Sequence, residues 1–232
     1  MDEYANKVVI FIGPPGSGKD TQANLLVEEF GMVQMPSSKL LREKFATNPD
    51  DPEVVHEQEL FDTGKLNSPV FVANVMLDFV RACAKQGKGI IFSGSPRTVG
   101  EVKAEIPVLS ELYGVQHVTV LFLNLEREES KRRIAGRRFC RANSHPVPGS
   151  SEFSHLKVCP LDGSELYARP LDNPALLDTR FKEYHMLTEP CLAVLKEAGF
   201  TIHELDGSKT IQGIHQEIIG ILERQRNPVP KE

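Results

Sequence analysis

The chain has 232 residues with a formal net charge of -5; 40% of the residues are hydrophobic and 25% charged. That length suits one α/β core with small inserted subdomains, and the negative balance argues against general electrostatic binding to nucleic acid. No apolar run is long enough to cross a bilayer, and the acidic MDEYANK start lacks the layout of a secretory signal, so a cytoplasmic location is expected, with neither a nucleic-acid nor a membrane partner.

In chain order, residues 8–12 (VVIFI) form a continuous apolar run bounded by Gly13 and Pro14, the pattern of a strand buried on both faces. Ala23, Leu26, Val27 and Phe30 then recur at helical spacing and Gly31 stops the helix. Further strands are predicted at 89–92, 117–123 and 201–205, with helical patterns at 70–85 and 100–113. Leu177, Phe181 and Tyr184 share a helical face, and Ile211, Ile214, Ile218 and Leu222 mark a last helix before a polar tail from Arg224 that is expected to fray. Alternating strands and helices predict an α/β fold, a parallel sheet with helices on both faces. Residues 44–63 are charged and read as part of a mobile arm rather than as core. Residues 139–175 hold five prolines and no clear period, so they predict a small excursion, either a lid or a metal-stapled knuckle. Four cysteines do not suggest a disulfide scaffold in a chain this long; Cys83 and Cys191 lie in apolar helical contexts and are expected in the core.

The segment GPPGSGK, Gly13 to Lys19, fits G-x-x-x-x-G-K between a predicted strand and a predicted helix. Such a loop curls backbone N–H groups around phosphate, and the helix N-terminus and lysine add positive charge. Asp20 stands where Ser or Thr usually follows the lysine.

The fuller stretch GPPGSGKDTQ resembles the phosphate loop of adenylate kinases, which usually carry glycine at position 20, and the resemblance extends over nearly the whole chain. It implies a P-loop nucleoside-monophosphate kinase that moves the γ-phosphate of MgATP to an acceptor, with AMP the leading candidate, GMP or CMP as alternatives, and a nucleotide-binding protein of weak transferase activity as the competing class. The implied division is a core over 1–36, an acceptor arm over 37–68, core over 69–138, a lid over 139–175, and core plus tail over 176–232. ATP would meet Gly16, Ser17, Gly18, Lys19, Asp20, Thr21, Arg133 and Lys209. The acceptor would meet Ser37 and Arg42 in MPSSKLLRE, Lys65, Leu66 and Asn67 in GKLNS, and Gly94, Arg97 and Glu101 in FSGSPRTVGE, together with Arg169 and Arg180. Lys19, Arg97, Arg137, Arg169 and Arg180 would stabilise the moving phosphoryl group. Ser93 replaces the family's aspartate that organises hydrated Mg²⁺, and Glu101 replaces the glutamine that reads adenine's edge. The side chain of Asp20 would either point away from phosphate or help position Mg²⁺. In the lid, Cys140, Cys159 and Asp162 match family zinc ligands while Asn143 is a poor one, so either His145 completes a zinc site or the lid is held by hydrogen bonds alone. A monomer is expected.

Overall fold

The computed structural model describes residues 4–143, 145–149, 151–168, 172 and 174–226. Strands β1 (Val8–Ile12), β2 (Val33–Gln34), β3 (Ile90–Phe92), β4 (Val118–Asn124) and β8 (Ile202–Asp206) form one parallel sheet in the order β2-β3-β1-β4-β8. The strands expected at 89–92, 117–123 and 201–205 are therefore present, each beginning one residue later. β2 was not anticipated, because two residues are too few to display a period.

All five residues of β1 are buried, and their alternation divides two cores. Val8, Ile10 and Ile12 pack with Met76 and Val80 of α4 (Pro69–Lys85), Val102 and Leu109 of α5 (Val99–Leu112), and Leu195 of α9 (Cys191–Glu197). Val9 and Phe11 face Ala23 and Leu26 of α1 (Lys19–Phe30) and Ile214, Ile218 and Leu222 of α10 (Ile211–Arg226). Covering both faces is what allows an unbroken apolar strand. Since β1 has β3 on one side and β4 on the other, the loops leaving its carboxyl end open into the crevice where such sheets hold ligands.

Residues 44–63, expected to lie outside the core, correct one expectation. α2 (Ser37–Thr47) and α3 (Pro52–Asp62) bury Leu41, Phe45 and Val54 in the same cluster as the sheet core, with the Phe45 ring 6.0 Å from that of Phe71. Apart from the buried Glu57 the segment's charges lie on the outer face, so composition understated how much of it is core.

The excursion after α6 (Arg127–Ile134) folds into a three-stranded antiparallel sheet in the order β6-β5-β7, made of β5 (Arg138–Cys140), β6 (Pro146–Val147) and β7 (Leu166–Tyr167), with α7 (Ser151–Ser154) between the last two in sequence. The Arg138 guanidinium fastens it by donating to the carbonyls of Phe153 and Leu156 at 2.7 and 2.5 Å. Beyond it, α8 (Pro174–Glu183) runs into a π-helical turn at Tyr184–Thr188, and Leu177 and Phe181 pack on Ile134. Among the described residues, no helix is long and apolar enough to cross a membrane.

Candidate active site

β1 ends at Ile12 and the chain turns through Gly13–Gly18 into α1. A side chain at Gly13 would sit 2.6 Å from the Leu123 carbonyl oxygen. Gly16 has φ 80° and a Cβ there would meet Ile134 at 2.9 Å, so both positions require glycine. The Ser130 hydroxyl bonds the Pro15 carbonyl and ties the loop to α6. Lys19 Nζ donates to the carbonyls of Gly13 and Pro14 at 2.7 and 2.9 Å and to Ser17 Oγ at 3.2 Å. Burial pulls its pKa down to about 7; Asp20 opposes this, and Arg97, Arg180 and Arg137 reinforce it. A polyanion bound among these cations would relieve their repulsion.

The loop forms one wall of a cleft of about 1070 Å³. Gly16, Ser17, Gly18, Lys19, Asp20 and Thr21 all line it, as do Ser37, Gly94, Arg97, Arg133, Arg137, Arg180 and Lys209. Asp172, with its side chain only 6% exposed, gathers two of the arginines: Arg137 grips it with Nε and Nη2 at 2.9 and 2.8 Å, and Arg180 reaches it at 3.0 Å. Arg133 is held by Glu129 at 2.7 Å and by the Ser208 carbonyl at 3.3 Å, and Lys209 by Glu217 at 2.6 Å. Arg169 lies outside the described residues.

The remaining acceptor-side residues are not all brought to the cleft. Arg42 is exposed on α2, with its guanidinium 5.1 Å from the centre of the Phe61 ring. Lys65 is exposed; Leu66 lines a smaller neighbouring cavity with Gly94, Arg97 and Arg180. Asn67 turns inward and donates to the Glu57 carbonyl at 2.6 Å and carboxylate at 2.8 Å. Glu57, which also accepts from Ser68 N at 2.9 Å, is an organiser of this turn that the sequence reading missed.

Glu101 departs furthest from expectation. It is 2% exposed and lines neither cavity; its carboxylate accepts from Ser95 Oγ at 2.8 Å, Thr98 Oγ1 at 2.9 Å and Arg97 N at 3.1 Å. Burial raises its pKa and these hydrogen bonds oppose the rise. Here the carboxylate holds the turn that presents Arg97 and points away from the cleft lining. The signal for this was present: Thr98-x-x-Glu101 ahead of an apolar run is a helix-capping pattern, and Thr98 Oγ1 accepts from Glu101 N at 3.2 Å.

In the lid, Cys140, His145, Cys159 and Asp162 each offer a ligand atom, and all four atoms lie within 4.8 Å of one another. His145 Nδ1 is 3.2 Å from Asp162 Oδ2 and 3.6 Å from Cys159 Sγ, and Cys140 Sγ is 3.2 Å from Asp162 Oδ2. Two sulfurs, an imidazole and a carboxylate at these separations fit a tetrahedral zinc ion. Asn143 donates to Asp162 at 3.0 Å and so sits outside the donor set, supporting one of its members.

A chain from Pelobacter propionicus described as adenylate kinase is 32% identical over 223 residues, covering 93% of this chain and 96% of the relative. Adenylate kinases of Archaeoglobus fulgidus and Trichomonas vaginalis are 31% and 28% identical, each covering more than nine-tenths of both chains. The family model described as adenylate kinase matches residues 11–200, a span that takes in the phosphate loop, the Arg97 turn, the lid and Arg180, and this chain therefore belongs to the adenylate kinase family and is a nucleoside-monophosphate kinase.

Proposed function

We propose that the acceptor is AMP and that the reaction is ATP + AMP ⇌ 2 ADP. The observation that carries the reading is the convergence of Lys19, Arg97, Arg137 and Arg180 on one cleft beside a loop of phosphate-binding geometry. The adenylate kinase names of the relatives favour AMP among acceptors. In this reading the loop from Gly16 to Thr21, with Arg133 and Lys209, holds ATP, which arrives with Mg²⁺ neutralising part of its charge. Ser37, Arg42, Lys65, Leu66, Asn67, Gly94, Arg97, Arg169 and Arg180 serve the acceptor, with the Asn67 side chain bracing its loop from behind.

An acceptor phosphate oxygen attacks the γ-phosphorus as the bond to ADP breaks; that oxygen is already anionic, so no general base is required. Charge spreads over the transferring oxygens, and guanidinium groups fixed in advance stabilise it with little reorganisation. In this reading Arg42 leaves Phe61 to reach an acceptor in the cleft as the 37–68 segment closes. Closure of this arm and of the lid excludes water and suppresses hydrolysis. Zinc in the lid would be held by Cys140, His145, Cys159 and Asp162 and would act structurally, crosslinking strands too short to be stable alone.

The test is a coupled assay of ADP formation with AMP, GMP, CMP and UMP as acceptors. AMP should give the highest kcat/KM; a higher value for any other acceptor would sink the assignment.

A further inference from the structure

Asp20 lies in the first turn of α1, directly after Lys19, and lines the cleft. A carboxylate there repels the same phosphates that Lys19 attracts. Its orientation is nevertheless built: Ser93 Oγ donates to Asp20 Oδ1 at 2.8 Å and itself accepts from Gln34 Nε2 at 2.7 Å. A hydroxyl has one proton to give, so the amide–hydroxyl–carboxylate direction of this chain is set. Ser93 is 6% exposed, and the chain joins the ends of β2 and β3 to the start of α1. Both departures from the family's motifs, the acid at 20 and the missing acid at 93, thus meet in one hydrogen bond.

Among the described residues that line the cleft the acidic side chains are Asp20 and Glu129, and Glu129 is paired with Arg132 and Arg133 at 2.7 Å. Asp20 attracts Lys19 but, among the described residues, makes no ion pair within 4.0 Å, and its Oδ2 accepts no hydrogen bond. An unpaired carboxylate beside a triphosphate is favourable only when a cation lies between them. Mg²⁺ is suited to that place: it takes one or two carboxylates together with phosphate oxygens and keeps several waters. We propose that Asp20, oriented by Ser93, is the carboxylate that the protein offers to the Mg²⁺ accompanying the donor triphosphate. This inference rests on the reading of the cleft as the ATP site. It also counts against weak transferase activity, since the carboxylate absent at 93 is supplied from 20.

Calorimetric titration with ATP, once with excess Mg²⁺ and once with EDTA, tests the proposal without turnover. In the wild type Mg²⁺ should tighten binding. In Asp20→Asn the ratio of the metal-free to the Mg²⁺ dissociation constant should fall by about fivefold or more, the lower end of ordinary coupling between ligands. Metal-free ATP should bind the variant more tightly than wild type, a change that a merely structural role would not produce. Asp20→Gly should lose the coupling as well, and adding Ser93→Asp to it, which moves the carboxylate across the hydrogen bond, should recover most of the ratio. An unchanged ratio in Asp20→Asn, or equal losses with and without metal, overturns the proposal. Wild-type protein that binds ATP in neither condition overturns the donor-site reading itself, an outcome the paired titrations separate from failure of Asp20 alone.

Discussion

Replacing Glu105 with Gln should stabilise the protein at neutral and alkaline pH and flatten its stability profile. Glu105 is 1% exposed, on α5 beneath the Arg97 turn. Ser95 Oγ lies 2.8 Å from Glu101 Oε2 and 3.0 Å from Glu105 Oε1, yet it carries a single proton. Glu101 also receives the Thr98 hydroxyl and Arg97 N–H, so it is the ionised member, and Glu105 must supply the proton for its own bond to Ser95. Burial, reinforced by Glu101, pushes the Glu105 carboxyl well above the usual range. Its Oε2 accepts no hydrogen bond, which a neutral carboxyl tolerates far better than a carboxylate. Cys191, nearby on α9, is held up to about 12 by burial, Glu101 and Glu105, and stays a neutral thiol throughout. The sign follows from linkage. The native state keeps a proton that the unfolded chain releases near pH 4.3, so the stabilisation is complete below about that pH and lost as pH rises through the folded value. One proton corresponds to a slope of up to about 1.4 kcal/mol per pH unit. A Gln amide can donate to Ser95 and has nothing to release. Urea unfolding from pH 5 to 9 should therefore show wild-type stability declining more steeply than that of Glu105→Gln by up to one proton's slope, with the gap widening toward high pH. Parallel profiles would refute the protonated Glu105.

Lys19→Met should lower turnover by about a hundredfold or more, the scale of losing a positioned cation at a reacting phosphate, while leaving the melting temperature within a few degrees. A coupled ADP assay that gave wild-type turnover would remove Lys19 from the reaction. Protein purified without a polyhistidine tag should contain about one zinc per chain by elemental analysis, and chelation should lower its melting temperature. A zinc content near zero with unchanged melting would leave the lid held by hydrogen bonds alone.

The parts of this molecule legible in its sequence are those with a long period or a fixed local geometry. The β1 run, the loop glycines and the amphipathic face of α10 each announce themselves within a dozen residues. The lid sheet does not, because its strands have two or three residues and no period; what assembles it is Arg138 on three carbonyls and four donor side chains 3–22 positions apart, and such contacts leave no periodic trace. Side-chain direction was the other gap. Register against a family motif put Glu101 at a base-reading position, but a carboxylate buries itself where it finds three donors, and Ser95, in FSGSPRT, supplies one of them. Asp172 shows the same limit from the opposite side. No local pattern shows that it binds Arg137, ahead of the lid, and Arg180, behind it, in one nearly buried cluster. Those guanidiniums are thus held in place by an anion of the protein itself. The cost of ordering two long side chains is met in folding, and in the proposed reaction a transferring phosphoryl group would meet guanidiniums already fixed by Asp172.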